Sequence, residues 1–203
     1  NLLPLEPPYE RPPWEMQCAA GYNDPTAMPA DMVDYVAIEA RYANAPDVRA
    51  ALLCGILHQD GTVGGICSGF GACEAGVLET AQLQAGQSYY FIIRHRNHTA
   101  LMTNAPVQIT DGTIIDFRIA ANIAGGSSQL VPIPGTALGA MIPGDIYADG
   151  VHSLYDFNLY RAQSGLVNGY YDADCNLDGQ TTIADFNLYR PNAAHIGVQL
   201  IRY

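Results

Sequence analysis

A tandem repeat near the C-terminal end of the chain restricts its possible folds more than any other feature. Residues 145–161 and 174–190 are related by an offset of 29 residues, and both end in the hexapeptide Asp-Phe-Asn-Leu-Tyr-Arg. Each copy carries aspartate at positions 1, 5 and 12, a hydroxyl residue at position 9 and glycine at position 6. Because internal repeats encode repeated structural units, the pattern predicts two copies of one loop, each followed by a short helix.

The oxygen-bearing positions have the spacing of an EF-hand calcium loop, with aspartate instead of glutamate at position 12. Calcium prefers about six to eight hard oxygen ligands, and glycine at position 6 allows the bend that brings them together. The predicted ligands are Asp145, Asp149, the carbonyl of Val151, Ser153 and Asp156 in the first loop, and Asp174, Asn176, Asp178, the carbonyl of Gln180, Thr182 and Asp185 in the second. Tyr147 occupies position 3 of the first loop, where Asp or Asn is expected, so we predict a weaker or more hydrated first site. The alternative is a solvated acidic repeat that holds no metal.

Over residues 144–190 the duplicated loop and short helix, with no helix before the first loop, resembles a type I dockerin. The resemblance implies calcium at both loops. Dockerins contact cohesins through loop positions 10 and 11 and the following helix. Those positions hold Leu154-Tyr155 and Ile183-Ala184 here, which are apolar and unlike each other, so the resemblance does not extend to them. The aromatic residues of the two hexapeptides are expected to form a core: Phe157, Tyr160, Phe186 and Tyr189.

Upstream of the repeat, residues 30–120 have the alternating and short apolar runs of β-strands separated by turns. Strands are predicted at residues 33–41, 49–57, 77–83, 88–94, 106–110 and 113–119. An Asp-Gly turn joins the last two, which predicts a hairpin. Six short strands at this spacing favour an antiparallel β-sandwich, so the expected fold class is mainly β, with a sandwich followed by a small α-helical calcium module.

The same region resembles the carboxy-terminal sandwich of large bacterial surface proteins. The resemblance is carried by residues 89–98 (Tyr-Tyr-Phe-Ile-Ile-Arg-His-Arg-Asn-His) and the following Leu101-Met102-Thr103. It covers about residues 31–120 and implies a Cna-B- or transthyretin-like sandwich in a secreted or cell-surface protein.

The remaining segments complete a five-part organisation: an arm (1–29), the sandwich (30–120), a connector (121–143), the calcium module (144–192) and a C-terminal strand or tail (193–203). The arm holds seven of the thirteen prolines together with several apolar residues, which is typical of an extended segment that docks on other protein. Docking on its own domain and docking on a neighbouring copy are both open. The connector is rich in glycine, alanine, serine and proline.

Composition excludes two classes of partner. All nine basic residues are arginine and the formal net charge is −11, so the chain lacks the basic surface that nucleic acids and anionic membranes require. Half of the fourteen aspartates lie between residues 145 and 185, which ties the acidity to the repeat. No apolar run reaches the roughly 18 residues of a membrane span. The first residues do not resemble a signal peptide, so we expect either a cytosolic protein or the mature form of an exported one.

The five cysteines bear on the compartment. Cys67 and Cys73 close a small glycine-rich loop, which favours a local disulfide in an oxidising compartment, with two free thiols as the alternative. Cys54 lies in an apolar run and is expected to be a small buried residue. The pairing of Cys18 and Cys175 is open.

The sequence contains no nucleophile elbow, P-loop, HExxH motif or dinucleotide fingerprint, so we expect no enzymatic activity. His95 and His98 could form a metal pair or an anion site, but a structural role with ring nitrogens bonded to loop carbonyls is favoured. The preferred interpretation is a secreted, calcium-binding structural protein that assembles with copies of itself into an extracellular filament, tube or surface layer. The competing interpretation is a dockerin-type binding module that attaches to other surface proteins or glycans.

Overall fold

A computed structural model describes residues 2–12, 14–16, 28–66, 76–78 and 80–201. The strands are β1 (Met32–Tyr42), β2 (Ala45–His58), β3 (Val63–Gly65), β4 (Ser88–His95), β5 (His98–Met102), β6 (Val107–Gln108), β7 (Leu130–Pro132) and β8 (Gly139–Met141). The helices are α1 (Leu154–Gln163) and α2 (Ile183–Tyr189), and single 3₁₀ turns occur at Pro8–Glu10, Ala120–Asn122, Gly126–Gln129 and Arg190–Asn192. The prediction of a mainly β protein with antiparallel sheets is confirmed.

The main sheet has six antiparallel strands in the order β3–β2–β1–β4–β5, with β6 also paired to β4. β1 is the central strand, and its register places Ile38 opposite Ile93 and Ala37 opposite Arg94. Because both faces of β1 are covered, nearly all of its side chains are buried, and strict alternation of polar and apolar residues is not required. β7 and β8 form a separate two-stranded sheet within the predicted connector.

One face of the sheet is covered by residues 109–141. Their apolar side chains, including Ile123 and Leu130, pack on Val36, Ile38 and other residues of that face. This layer consists of turns, 3₁₀ segments and the small β7–β8 sheet. It buries the apolar side chains of β1 and β4 that alternate toward it.

The opposite face, which we call the arm face, is covered by both termini. Tyr9 is fully buried against Tyr35 and Ile56, and its hydroxyl donates hydrogen bonds to the carbonyls of Tyr35 (2.9 Å) and Arg94 (3.2 Å). Near the other terminus, Ile201 packs on Ile92, Ala100 and Met102. The described part of the arm therefore docks on its own domain. Residues 193–201 end in turns and contribute an isolated bridge between Ile196 and Val151, not an added strand.

Two strand predictions are wrong. Among residues 76–78 and 80–83 no strand forms, and none forms over residues 113–119. The Asp-Gly turn is present, with Gly112 at φ 76°, but β6 pairs with β4 instead of with the segment after the turn. The reason is that Ile115 and Phe117 pack on the face of the sheet, where they bury apolar surface without strand pairing.

Cys54 and Cys175 lie in the described part of the chain. Cys54 is disulfide-bonded, which differs from the simple buried residue expected, and Cys175 is a buried free thiol. Burial, and then the nearby charge of Asp185, raises the pKa of Cys175 to about 12. The predicted Cys67–Cys73 bridge lies outside the described residues, as does Cys18.

No helix in the described part of the chain combines the length and apolar character needed to cross a bilayer.

Candidate metal centre

The two repeated loops follow the same backbone path. Position 4 is left-handed in both, with φ 57° at Ala148 and 63° at Leu177, and so is the glycine at position 6, with φ 78° at Gly150 and 81° at Gly179. Left-handed backbone costs roughly 1–2 kcal/mol at a residue other than glycine, so its recurrence at the same position shows that each loop has a strongly specified shape. A side chain at Gly179 would also collide with Leu2 of the arm.

The aspartate at position 1 closes the bend of each loop. The two carboxylate oxygens of Asp145 accept hydrogen bonds from the backbone N–H groups of Asp149 and Gly150, both at 3.0 Å. Asp174 accepts the equivalent bonds from Asp178 (3.1 Å) and Gly179 (2.9 Å). The sequence repeat is therefore matched by a repeat of the hydrogen-bond pattern.

The aspartate at position 12 joins the start of each loop to the helix that follows. Asp156 accepts from the N–H groups of Tyr147 (2.9 Å) and Ser153 (2.7 Å), and Ser153 caps α1. In the second loop, Asp185 accepts from the N–H groups of Asn176 (3.2 Å) and Thr182 (2.7 Å), and Thr182 caps α2. Both helices thus begin with a capping box, which fixes positions 9 and 12 relative to each other.

The helices exchange contacts in a crossed manner. The hydroxyl of Tyr160 in α1 donates to the carbonyl of Thr182 in the second loop (3.0 Å), and the hydroxyl of Tyr189 in α2 donates to the carbonyl of Ser153 in the first (2.8 Å). Phe186 lies between them, 5.5 Å from Tyr160 and 6.2 Å from Tyr189 between ring centroids. The expected aromatic core therefore forms and also holds the position 9 carbonyls.

The first loop contains buried aspartates that are not balanced by any basic side chain that the structure describes. Asp145 and Asp156 are fully buried, and among the described residues neither they nor Asp149 form an ion pair with a basic side chain. Burial, together with the charges of Asp156 and Asp149, raises the pKa of Asp145 to about 7. Burial also raises the pKa of Asp174, but there the N–H of Gly179 and the guanidinium of Arg96 oppose the shift.

The remaining predicted ligands are less closely gathered. Asp149, Asn176 and Asp178 lie at the surface, where the amide of Asn176 donates to a carboxylate oxygen of Asp178 (2.9 Å). Within the part of the chain that the structure describes, no three His, Cys, Asp or Glu side chains converge as a metal-holding group. Position 7 is used in backbone bridges in both loops, Val151 with Ile196 and Gln180 with Val167.

Sequence reasoning missed a buried polar cluster between the sheet and the module. Asp34 is fully buried and accepts from Arg96 Nε (2.8 Å) and from the hydroxyl of Tyr170 (2.6 Å). His95 Nε2 lies 3.2 Å from the same carboxylate. Although burial alone would raise it, the charges of His95 and Arg96 hold the pKa of Asp34 well below its ordinary value. No local pattern signals this cluster, because Arg96 and Tyr170 are 62 and 136 residues from Asp34 in sequence.

His95 and His98 lie next to this cluster, and their ring nitrogens face other side chains. Both lie at a packed junction, with ring centroids 4.7 Å apart. His98 Nδ1 lies 2.7 Å from Asn97 Oδ1 and 3.0 Å from His95 Nδ1. Their partners are therefore side chains, not the loop carbonyls expected from the sequence.

Comparison with known proteins adds no identification. A scan against protein-family models, a search of curated proteins and a search of solved structures each found no match to this chain.

Proposed function

We propose that residues 144–190 form a dockerin-like module that binds two calcium ions, and that the protein is a secreted structural subunit assembling with copies of itself outside the cell. The sheet over residues 30–120, with its second layer on one face, is proposed as a divergent Cna-B- or transthyretin-like sandwich. The disulfide at Cys54 supports an oxidising compartment.

The observation that carries the calcium proposal is the pair of buried aspartates in the first loop. Among the described residues, Asp145 and Asp156 are both fully buried without a basic partner, and burial, together with the charges of Asp156 and Asp149, raises the pKa of Asp145 to about 7. A buried carboxylate without compensation is costly, and a divalent cation would compensate it. All predicted donors are oxygens, as calcium prefers, and several are hydroxyl, amide or backbone oxygens. By donor chemistry and by charge, the residues fit calcium.

The first loop is proposed to be the weaker site. Tyr147 at position 3 is largely exposed, and its ring packs on Tyr155 at 4.5 Å between centroids. The second loop has Asn176 at that position, with its side-chain oxygen directed into the loop, where it accepts from the N–H of Asp178 (3.1 Å). One fewer side-chain oxygen in the first loop leaves a place that water would fill.

Titration calorimetry with calcium tests the proposal directly. The wild-type protein is expected to bind two calcium ions per chain. Asp178→Asn, which removes one surface carboxylate of the second loop, should lower the affinity of that site by roughly tenfold or more while the first site is retained. Asp172→Asn is the matched control, because it removes a carboxylate two residues before the loop that is not a predicted ligand. Absence of calcium binding by the wild type would contradict the proposal.

Self-assembly is supported by the surface of the module. Leu154, Tyr155 and Ile183 are 70%, 55% and 66% exposed, and all three lie between the predicted ligands at positions 9 and 12 of a loop. Exposed apolar side chains of this kind favour protein contacts. The termini contribute less than the sequence suggested, because their described parts pack on their own sheet.

Negative-stain microscopy with and without a calcium chelator tests the assembly. Long ordered polymers that fray on chelation are the expected result. A monodisperse monomer under both conditions would contradict self-assembly. That outcome would favour the second candidate, a binding module for other surface proteins or glycans, because the same exposed side chains could then contact a different partner.

A further inference from the structure

The tip of the β4–β5 hairpin is buried between the sheet and both repeated loops. Arg96, Asn97 and Thr99 are each at most 1% exposed. Toward the first loop, the carbonyl of Asn97 accepts from the N–H of Gly144 (2.9 Å), and Thr99 Oγ1 lies 2.7 Å from His152 Nε2. The hairpin tip is therefore a structural junction, although its sequence resembles a polar surface turn.

Toward the second loop, the junction holds the backbone at the point where the loop begins. The amide of Asn97 donates to the carbonyls of Asp172 (2.8 Å) and Asp174 (2.7 Å). The guanidinium of Arg96 donates to the carbonyls of Tyr171 and Asp174. Four hydrogen bonds from two buried side chains of the sheet thus fix the residues leading into position 1.

Arg96 is anchored on its own side of the junction. It donates to Asp34 from Nε, and its guanidinium carbon lies 4.2 Å from the ring centroid of Tyr170. Its Nη2 also lies 3.9 Å from the carboxylate of Asp174. If the second loop left this position, Arg96 and Asn97 would lose partners while still largely buried, and unpaired buried polar groups are costly.

We infer that Arg96 and Asn97 are positioning residues for the second calcium loop, and that they couple calcium binding there to the stability of the sheet. The inference rests on the proposed calcium function. Without a cation, the carboxylates at positions 1, 5 and 12 repel one another and the loop loosens. Loosening breaks the bonds to the hairpin tip, so the free energy of calcium binding reaches the sheet through them.

The single tryptophan provides a readout located on the sheet. Trp14 packs in the arm-face cluster, which contains no described residue of either loop, and its ring lies 5.3 Å from that of Tyr9 between centroids. Thermal unfolding followed by tryptophan fluorescence therefore reports on the sheet and arm. At about a hundredfold excess of calcium over its Kd, we expect the wild-type midpoint to rise by roughly 5–10 °C.

Asn97→Ala tests the route of the coupling. The variant should lower the midpoint without calcium and should also reduce the calcium-induced shift by at least half. A merely structural role would lower both midpoints equally and leave the shift unchanged. Asn104→Ala is the matched control, because the Asn104 amide also donates to a backbone carbonyl, that of Ala121, but away from the loops. The control should retain the full shift.

The outcomes separate the inference from the proposed function. If calorimetry detects calcium binding but the Trp14 transition does not shift, the inference is overturned and the calcium function stands. If calorimetry detects no calcium binding, both are overturned. If Asn97→Ala does not fold, hydrogen exchange of the wild type decides: added calcium should slow exchange at residues 95–99, and unchanged exchange there overturns the coupling.

Discussion

Asp34 and Asp145 are buried carboxylates whose surroundings shift their pKa values in opposite directions. Both are fully buried. Asp34 receives a guanidinium, a tyrosine hydroxyl and a nearby imidazole, and its pKa is lowered. Asp145 receives two backbone N–H groups and faces two other carboxylates, and its pKa is raised. The first arrangement is complete without an ion, whereas the second leaves negative charge that calcium would neutralise.

The sequence predicted Asp145 and its loop because a calcium loop is encoded by consecutive positions. Asp145 and Asp156 are eleven residues apart, and the same spacing recurs at Asp174 and Asp185. Asp34 was not predicted, because its partners come from distant parts of the chain and nothing near Asp34 indicates them. Local patterns therefore located the candidate site, while the junction that supports it required the tertiary structure.

His98 gives a pH-dependent prediction. Burial, with the charges of His95 and Arg96, holds the pKa of His98 well below its ordinary value of 6.5, while Asp34 opposes the shift. The folded state therefore disfavours a proton that the unfolded chain accepts. The titration of His98 therefore leaves the free energy of unfolding at its full value above pH 6.5. As the pH falls from 6.5 toward the pKa of the folded state, the free energy of unfolding decreases by about 1.4 kcal/mol per pH unit.

Chemical denaturation at pH 8 and pH 5.5, in excess calcium, measures this loss. Wild-type stability should fall between the two, and His98→Gln should show a smaller fall, because its side chain does not titrate. An equal fall in the two proteins would assign the acid sensitivity to other groups and contradict the role of His98.

At the scale of elements, the aspartate, phenylalanine and tyrosine of the repeated hexapeptide have structural roles in addition to the calcium role proposed for the aspartate. Its aspartate forms the capping box, its phenylalanine packs between the helices and its tyrosine reaches the other loop. The aromatic core could be predicted from the spacing of the side chains. The crossed bonds could not, because they depend on how α1 and α2 lie against each other.

Removing one crossed hydrogen bond should destabilise the module. Tyr189→Phe deletes the hydroxyl that donates to the Ser153 carbonyl, and Tyr160→Phe deletes its counterpart at Thr182. Each should lower the free energy of unfolding in urea by about 1 kcal/mol. Tyr155→Phe is the control, because Tyr155 is 55% exposed, and its effect should stay within about 0.5 kcal/mol. Equal losses of unfolding free energy in all three variants would show that the crossed hydrogen bonds stabilise the module no more than an exposed tyrosine hydroxyl does.

Elements of the sheet were predicted best where burial is two-sided. β1 and β4 were located almost to the residue, from the partial alternation of apolar and polar residues in β1 and from the apolar run at residues 89–93 in β4. The segment 113–119 has a similar composition, but its apolar side chains are used to cover the sheet instead of extending it. The hydrophobic pattern indicates which side chains become buried. Whether such a segment pairs as a strand or covers the sheet depends on which strand edges and sheet faces the rest of the chain leaves open.

At the scale of the whole molecule, the arm, the sheet and the module meet at one junction. Tyr9 bonds to the carbonyl of Arg94 at the end of β4, Arg96 lies just beyond, and Leu2 contacts Gly179 of the second loop. The arm therefore closes over the place where the module docks.

Because the arm docks on its own sheet, its contacts should stabilise the protein independently of protein concentration. Tyr9→Ala removes a fully buried ring and two hydrogen bonds, and should destabilise the protein by about 3–5 kcal/mol. Because the contact is within one chain, the loss should be the same at low and at high protein concentration. Thermal melts of the variant and the wild type at both concentrations measure it, with Glu10→Ala, an exposed neighbour in the arm, as the control. If the loss instead depends on concentration, the arm is exchanged between copies in solution, and the contact seen within one chain forms between two.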